Sequence, residues 1–124
     1  MTEKKKIWFM DEEPDLRELV EGSLFLMEFD VSTFASGEDL LVKFSEEPPP
    51  DVVILDLNVK NRMGAVETLR NLLQIGYGGM AVVSSGYLFE GEKVDGFDAT
   101  LPKPYWPRDL KNIIEEVLKE KKEA

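Results

Sequence analysis

Two kinds of apolar pattern alternate along this chain, and that alternation constrains the fold more than any other feature. Short strand-like runs occur at "IWFM" (7–10), "VSTF" (31–34), "VVIL" (52–55), "AVV" (81–83) and "ATL" (99–101). Between them the apolar residues recur at helical spacing. Leu16, Leu19, Val20, Leu24 and Met27 follow Pro14, and Leu110, Ile113, Ile114, Val117 and Leu118 follow Pro107; a proline suits the first turn of a helix, where its missing N–H costs nothing. Shorter helices are predicted over about 37–46, with Leu40, Leu41 and Phe44 inward, and about 64–75, with Ala65, Val66, Leu69, Leu72 and Leu73 inward.

Strands separated by helices call for an α/β fold, a doubly wound parallel sheet covered on both faces. Right-handed crossovers in the usual order, 2-1-3-4-5, give five strands with the fifth at an edge. Pro102 agrees with that placement, since an edge strand tolerates a residue that cannot donate a ladder bond. The stretch "YLFEGEKVDGF" (87–97) holds two glycines and little periodicity, which predicts a short or irregular fourth helix. At 124 residues the chain is long enough for one core, so residues 1–124 read as a single domain, with 1–5 and 119–124 as frayed ends.

Composition removes several chemistries. The chain contains no cysteine and no histidine, which excludes disulfides, thiol chemistry, zinc clusters and histidine bases. Fifteen basic residues against twenty-five acidic ones give a net charge of −10, which repels nucleic-acid backbones and anionic membrane surfaces. No apolar run approaches membrane-spanning length, and a cytoplasmic location is expected.

The run Val52–Leu55 reads as a strand buried on both faces, yet it ends directly in Asp56. In an open α/β sheet, ligands bind outside the carboxyl ends of the strands, where the order reverses between the first and third. The first strand ends in Met10-Asp11-Glu12, so Asp11, Glu12 and Asp56 are expected in one crevice. Three like charges there call for a raised pKa or a bound cation, and a hard divalent ion is the simpler solution. Magnesium suits such a set because it takes one or two carboxylates plus phosphate oxygens. Lys103, after the fifth strand, supplies a cation for a phosphoryl group, and Ser84 or Ser85, at the end of the fourth, supplies a hydroxyl. Singly these are acids at a helix start, a turn aspartate, a solvated lysine and loop serines. Four of them at successive strand ends make a site.

The residues resemble the receiver domain of two-component response regulators over essentially the whole chain. "IWFMDEEPDLRELV" is similar to that family's first strand, acid pair and first helix, and "VVILDLNVKNRMG" to its phosphoacceptor strand and loop. "VVSSGY" resembles the switch-hydroxyl segment, with Ser85 aligned because Gly86 follows it, and "LPKPY" the Lys-Pro motif. The resemblance implies a flavodoxin-like fold and a phosphoacceptor signalling domain, not a turnover enzyme. Asp56 would accept a phosphoryl group from a sensor histidine kinase or a histidine phosphotransfer protein, with Lys103 and Ser85 contacting that group. Magnesium, or manganese in its place, would be held by Asp11, Glu12, Asp56 and the backbone carbonyl of Asn58. Asn58 and Tyr87 would tune the lifetime of the aspartyl phosphate, a cis bond would precede Pro104, and an unnamed downstream protein would read the signal.

Three departures from the family pattern stand out. Lys60 and Met63 occupy places in the loop after Asp56 that often hold proline and a small or acidic residue, which predicts a looser loop. Thr100 stands where many receivers carry an aromatic switch residue. The third is the short 87–97 stretch. Two other functions compete: an interaction module that is never phosphorylated, and a metal-dependent phosphatase with an aspartate nucleophile. The intact acids and Lys103 argue against the first. Asn58, where such phosphatases place a second aspartate, argues against the other.

Overall fold

The computed structural model of the chain describes residues 3–123. Five parallel strands, β1 (Lys6–Met10), β2 (Asp30–Phe34), β3 (Val52–Asp56), β4 (Met80–Ser85) and β5 (Ala99–Pro102), form one sheet in the order β2-β1-β3-β4-β5. Four helices connect or follow them: α1 (Pro14–Leu26), α2 (Gly37–Phe44), α3 (Ala65–Gln74) and α4 (Pro107–Glu123). Pro102 closes the edge strand, as its chemistry requires. Of the ends expected to fray, residues 1–2 and 124 lie outside the described residues, and α4 runs through to Glu123.

The twofold alternation of a strand divides the core into two layers. Ile7, Phe9, Val52, Ile54, Val82 and Leu101 face Val20 and Leu24 of α1 and Leu110, Ile114 and Val117 of α4. Trp8, Met10, Val53, Leu55, Ala81 and Val83 face the other way, toward Leu40 of α2 and Ala65, Leu69 and Leu72 of α3. Both faces of β1 and β3 are therefore covered, which is why their sequences show no polar alternation. The register pairs Met10 with Leu55, so the next residues, Asp11 and Asp56, leave the sheet side by side.

The helical stripes are narrower than the sequence pattern predicts. Leu19, Val66 and Leu73 are exposed, because each lies on the flank of a helix whose buried arc is already filled by its neighbours. Between β4 and β5 the irregularity is complete: residues 86–98 form turns, with Gly91 and Gly96 at positive φ, and no helix. Leu88, Val94 and Phe97 from this segment are half-buried against the second layer and cover it without one.

The loop expected to be loose is instead tied to the start of α2. Met63 N–H donates to Glu38 Oε1 (2.8 Å), Gly37 N–H donates to the Met63 carbonyl (2.9 Å), and Arg62 pairs with Asp39 (3.2 Å). The contact is close enough that a Cβ on Gly37 would lie 1.8 Å from Thr68 Oγ1 and 3.0 Å from Met63 Cγ. Gly37→Ala should therefore lower stability in urea by about 1–3 kcal/mol through overpacking, and by less in a Thr68→Ala background. Equal losses in both backgrounds would rule out the clash as the cause.

Candidate functional site

At the carboxyl ends of the strands, Lys103 draws two acids together. Its ammonium lies 2.6 Å from Asp11 Oδ2 and 3.4 Å from Asp56 Oδ1. Asp11 is 1% exposed and Asp56 4%, whereas the lysine side chain retains 24%. Each group owes its place to local structure. Asp11 Oδ1 accepts Glu13 N–H (3.0 Å) and closes the turn into α1. Asp56 Oδ1 also accepts Asn58 N–H (3.3 Å), which turns the chain out of β3. Lys103 N–H donates to the Ser85 carbonyl (3.0 Å), and the Lys103–Pro104 bond is cis.

Burial, and then the Asp11 charge, push the Asp56 carboxyl above its ordinary pKa of 3.8, against the pull of Lys103 and the Asn58 amide. Burial disfavours the Lys103 ammonium, but its hydrogen bond to Asp11 and the charges of Asp11 and Asp56 more than offset that and raise its pKa. The site therefore has more negative charge to accommodate than one lysine neutralises.

The two serines separate by their partners. Ser84 pairs with Asp56 in the β3–β4 register, but its hydroxyl is spent on the Leu101 carbonyl (2.7 Å). Ser85 Oγ donates to Asn58 Oδ1 (2.8 Å) and accepts Tyr87 N–H (3.1 Å). Tyr87 is 84% exposed, and its tie to this cluster is the backbone amide. Glu12 does not share Lys103 with the other acids: its Oε2 accepts Lys60 N–H (3.0 Å). Thr100 donates its hydroxyl to the Glu92 carbonyl and holds the turn segment to β5.

Two contributors escaped the sequence reading. Arg17 Nη1 donates to the Asp11 carbonyl (2.8 Å), bracing the acid's backbone from the first turns of α1. The Tyr105 hydroxyl is buried without a hydrogen-bond partner among the described residues, and burial, with the Asp11 and Asp56 charges behind it, raises its pKa. The tyrosine's place beside the Lys-Pro pair was visible in the sequence, whereas Arg17 carried no signal beyond its helical setting.

The donors offered here are hard oxygens. Asp56 Oδ2 has no protein partner among the described residues, and the excess of buried negative charge favours a cation. Among the described residues no three acids stand in ligating arrangement, and Glu12 is bonded to the Lys60 N–H. Two carboxylates and a carbonyl still fit magnesium, which keeps several of its waters.

No protein-family model matches the chain. Among solved structures it is similar to a CheY-like response regulator receiver domain protein from Methanospirillum hungatei, with TM-score 0.81, 22% identity, and 98% of this chain and 99% of that chain covered. This is the receiver-domain fold of response regulators. A beryllofluoride-activated receiver domain, DrrB, shares the fold at TM-score 0.76 and 25% identity, with 94% of this chain and 98% of that chain covered. In sequence the chain is 28% identical over 123 residues to a probable transcriptional regulator, ycf27, of Porphyridium aerugineum, covering 94% of this chain and 49% of that protein. The chain thus spans about half the length of the curated relatives it matches. Within this receiver fold, Asp56, Asp11, Lys103 and Ser85 stand at the ends of β3, β1, β5 and β4.

Because Asp56 holds its proton more tightly folded than unfolded, its contribution to stability falls as pH rises from 3.8 through its raised pKa, and stays lost above it. Asp56→Asn should therefore raise the urea midpoint at about pH 7, while Lys103 keeps Asp11 as its partner. The gain should shrink as pH falls toward the ordinary aspartate value; a gain independent of pH would contradict this account of the buried charge.

Proposed function

We propose that the chain, residues 1–124 as a single domain, is a phosphoacceptor signalling domain of a two-component phosphorelay. The observation that carries this reading is the pair of buried carboxylates, Asp11 and Asp56, sharing Lys103 at the sheet's switch point. Asp56 is the nucleophile. A carboxylate oxygen attacks the phosphorus of a partner's phosphohistidine, or of a small acyl phosphate. The new P–O bond forms as the donor's P–N or P–O bond breaks, and the bonding pair leaves with the donor. The absence of histidine means that a donor histidine belongs to a sensor kinase or a phosphotransfer protein.

Lys103 stays beside Asp56 and pairs with the incoming phosphoryl oxygens, and Ser85 donates its hydroxyl to one of them. Magnesium, or manganese, would be held by Asp11, Asp56 and the Asn58 carbonyl with Glu12 nearby, and would supply charge that offsets repulsion between carboxylate and phosphoryl oxygens. Asn58 and Tyr87, both hydrogen-bonded to Ser85, tune how long this group survives. The domain is an acceptor and not a turnover enzyme. It acts in the cytoplasm on a downstream protein, with no direct contact to nucleic acid or membrane. The net charge of −10 supports that last point, and no helix among the described residues is long and apolar enough to cross a membrane.

Incubation with magnesium and a small acyl phosphate should add one labile phosphoryl group to the wild type and none to Asp56→Asn, read by intact mass. Lys103→Met should slow uptake by about 100-fold. An unmodified wild type under every donor would instead favour the interaction module. Tyr87→Ala should shorten the half-life of the adduct, and an unchanged half-life would remove Tyr87 from the tuning role.

A further inference from the structure

The hydroxyl that must reach the phosphoryl group is already engaged. Ser85 is 1% exposed, and its Oγ accepts the Tyr87 amide at 3.1 Å. A hydroxyl has one hydrogen to give. With the amide directed into its oxygen, that hydrogen goes to Asn58 Oδ1, 2.8 Å away. Asn58 also holds the nucleophile, since its own N–H donates to Asp56 Oδ1 at 3.3 Å. A single residue therefore ties the acceptor carboxylate through its backbone and the switch hydroxyl through its side chain. Ser84 cannot stand in, because its hydroxyl is committed to the Leu101 carbonyl.

We propose that Asn58 is a positioning residue whose side chain latches the Ser85 hydroxyl in the unphosphorylated protein, so that a phosphoryl group on Asp56 must win that hydroxyl from it. The inference rests on the phosphoacceptor reading above and concerns the regulation of that site. Ser85 is buried and its hydrogen cannot be left without an acceptor, so it has two positions and no comfortable one between. An anionic phosphoryl oxygen is a stronger acceptor than a neutral amide oxygen, which drives the transfer. Asn58 is exposed, so water takes up its freed oxygen at little cost. The latch therefore raises the threshold for phosphorylation without blocking it.

The test is a double-mutant cycle on phosphoryl uptake from a small acyl phosphate with magnesium, followed by intact mass in the wild type, Asn58→Ala, Ser85→Ala and the double variant. Asn58→Ala should speed uptake about fivefold when Ser85 is present, the worth of one neutral hydrogen bond, and leave it unchanged in the Ser85→Ala background. The same change in both backgrounds, or none in either, overturns the latch while the phosphoacceptor reading stands. No adduct on the wild type overturns that reading and the latch with it. A second measurement reads the latch directly. With magnesium present throughout, beryllofluoride should move the Asn58 side-chain amide resonances of the wild type toward their position in Ser85→Ala. Resonances that stay in place while those around Asp56 shift would show that the hydroxyl never leaves Asn58.

Discussion

Lys103 lies 2.6 Å from Asp11 and 3.4 Å from Asp56, and around this three-membered contact the carboxyl edge of the sheet is organised. Two carboxylates almost wholly removed from water repel each other and lose hydration, and a single ammonium cannot compensate both. The raised pKa of Asp56 expresses that imbalance. The surrounding bonds hold it in place: Glu13 N–H and Arg17 on Asp11, Asn58 N–H on Asp56, and the Ser85 carbonyl on the Lys103 amide. A crevice so charged favours an added cation and the anionic group that a cation can bridge, which is the chemistry proposed for it.

The rest of the fold delivers these groups. Parallel strands in register bring Asp11 and Asp56 out of the sheet side by side, and two filled apolar layers keep β1 and β3 from shifting. The edge strand then carries Lys103 back over the same end of the sheet, its amide bonded to the end of β4. On the opposite side of the crevice, the loop after Asp56 is stitched to α2 through Glu38, Gly37 and Asp39. That stitching gives the loop its shape without a proline.

Much of this was legible from residue order. The β-α alternation led to the sheet and its order, and a strand ending abruptly in Asp56 pointed to the site. Asp11 and Lys103 followed from their places at strand ends; position left Ser84 and Ser85 level, and the resemblance chose Ser85. The hydrogen bond that Glu12 accepts from the Lys60 N–H was not legible, because adjacency to Asp11 says nothing about rotamer. Leu19, Val66 and Leu73 fit a helical period yet lie exposed, because periodicity does not reveal how wide an arc the neighbouring elements cover. The loop's anchorage depends on residues more than twenty positions away, beyond the reach of any local pattern.

The sequence by itself determined the five strands, the layering of the core and the acids and lysine at the strand ends, with a serine pair at the fourth, since these follow from periodicity and from where apolar runs stop. Only the tertiary structure decided that the Ser84 hydroxyl is spent on the Leu101 carbonyl while that of Ser85 is held by Asn58, where Glu12 turns, and that Asn58 joins Asp56 to Ser85. The reason is physical: a hydrogen bond is a competition among all donors and acceptors within about 3 Å, and residues far apart in sequence enter that competition only once the chain has folded.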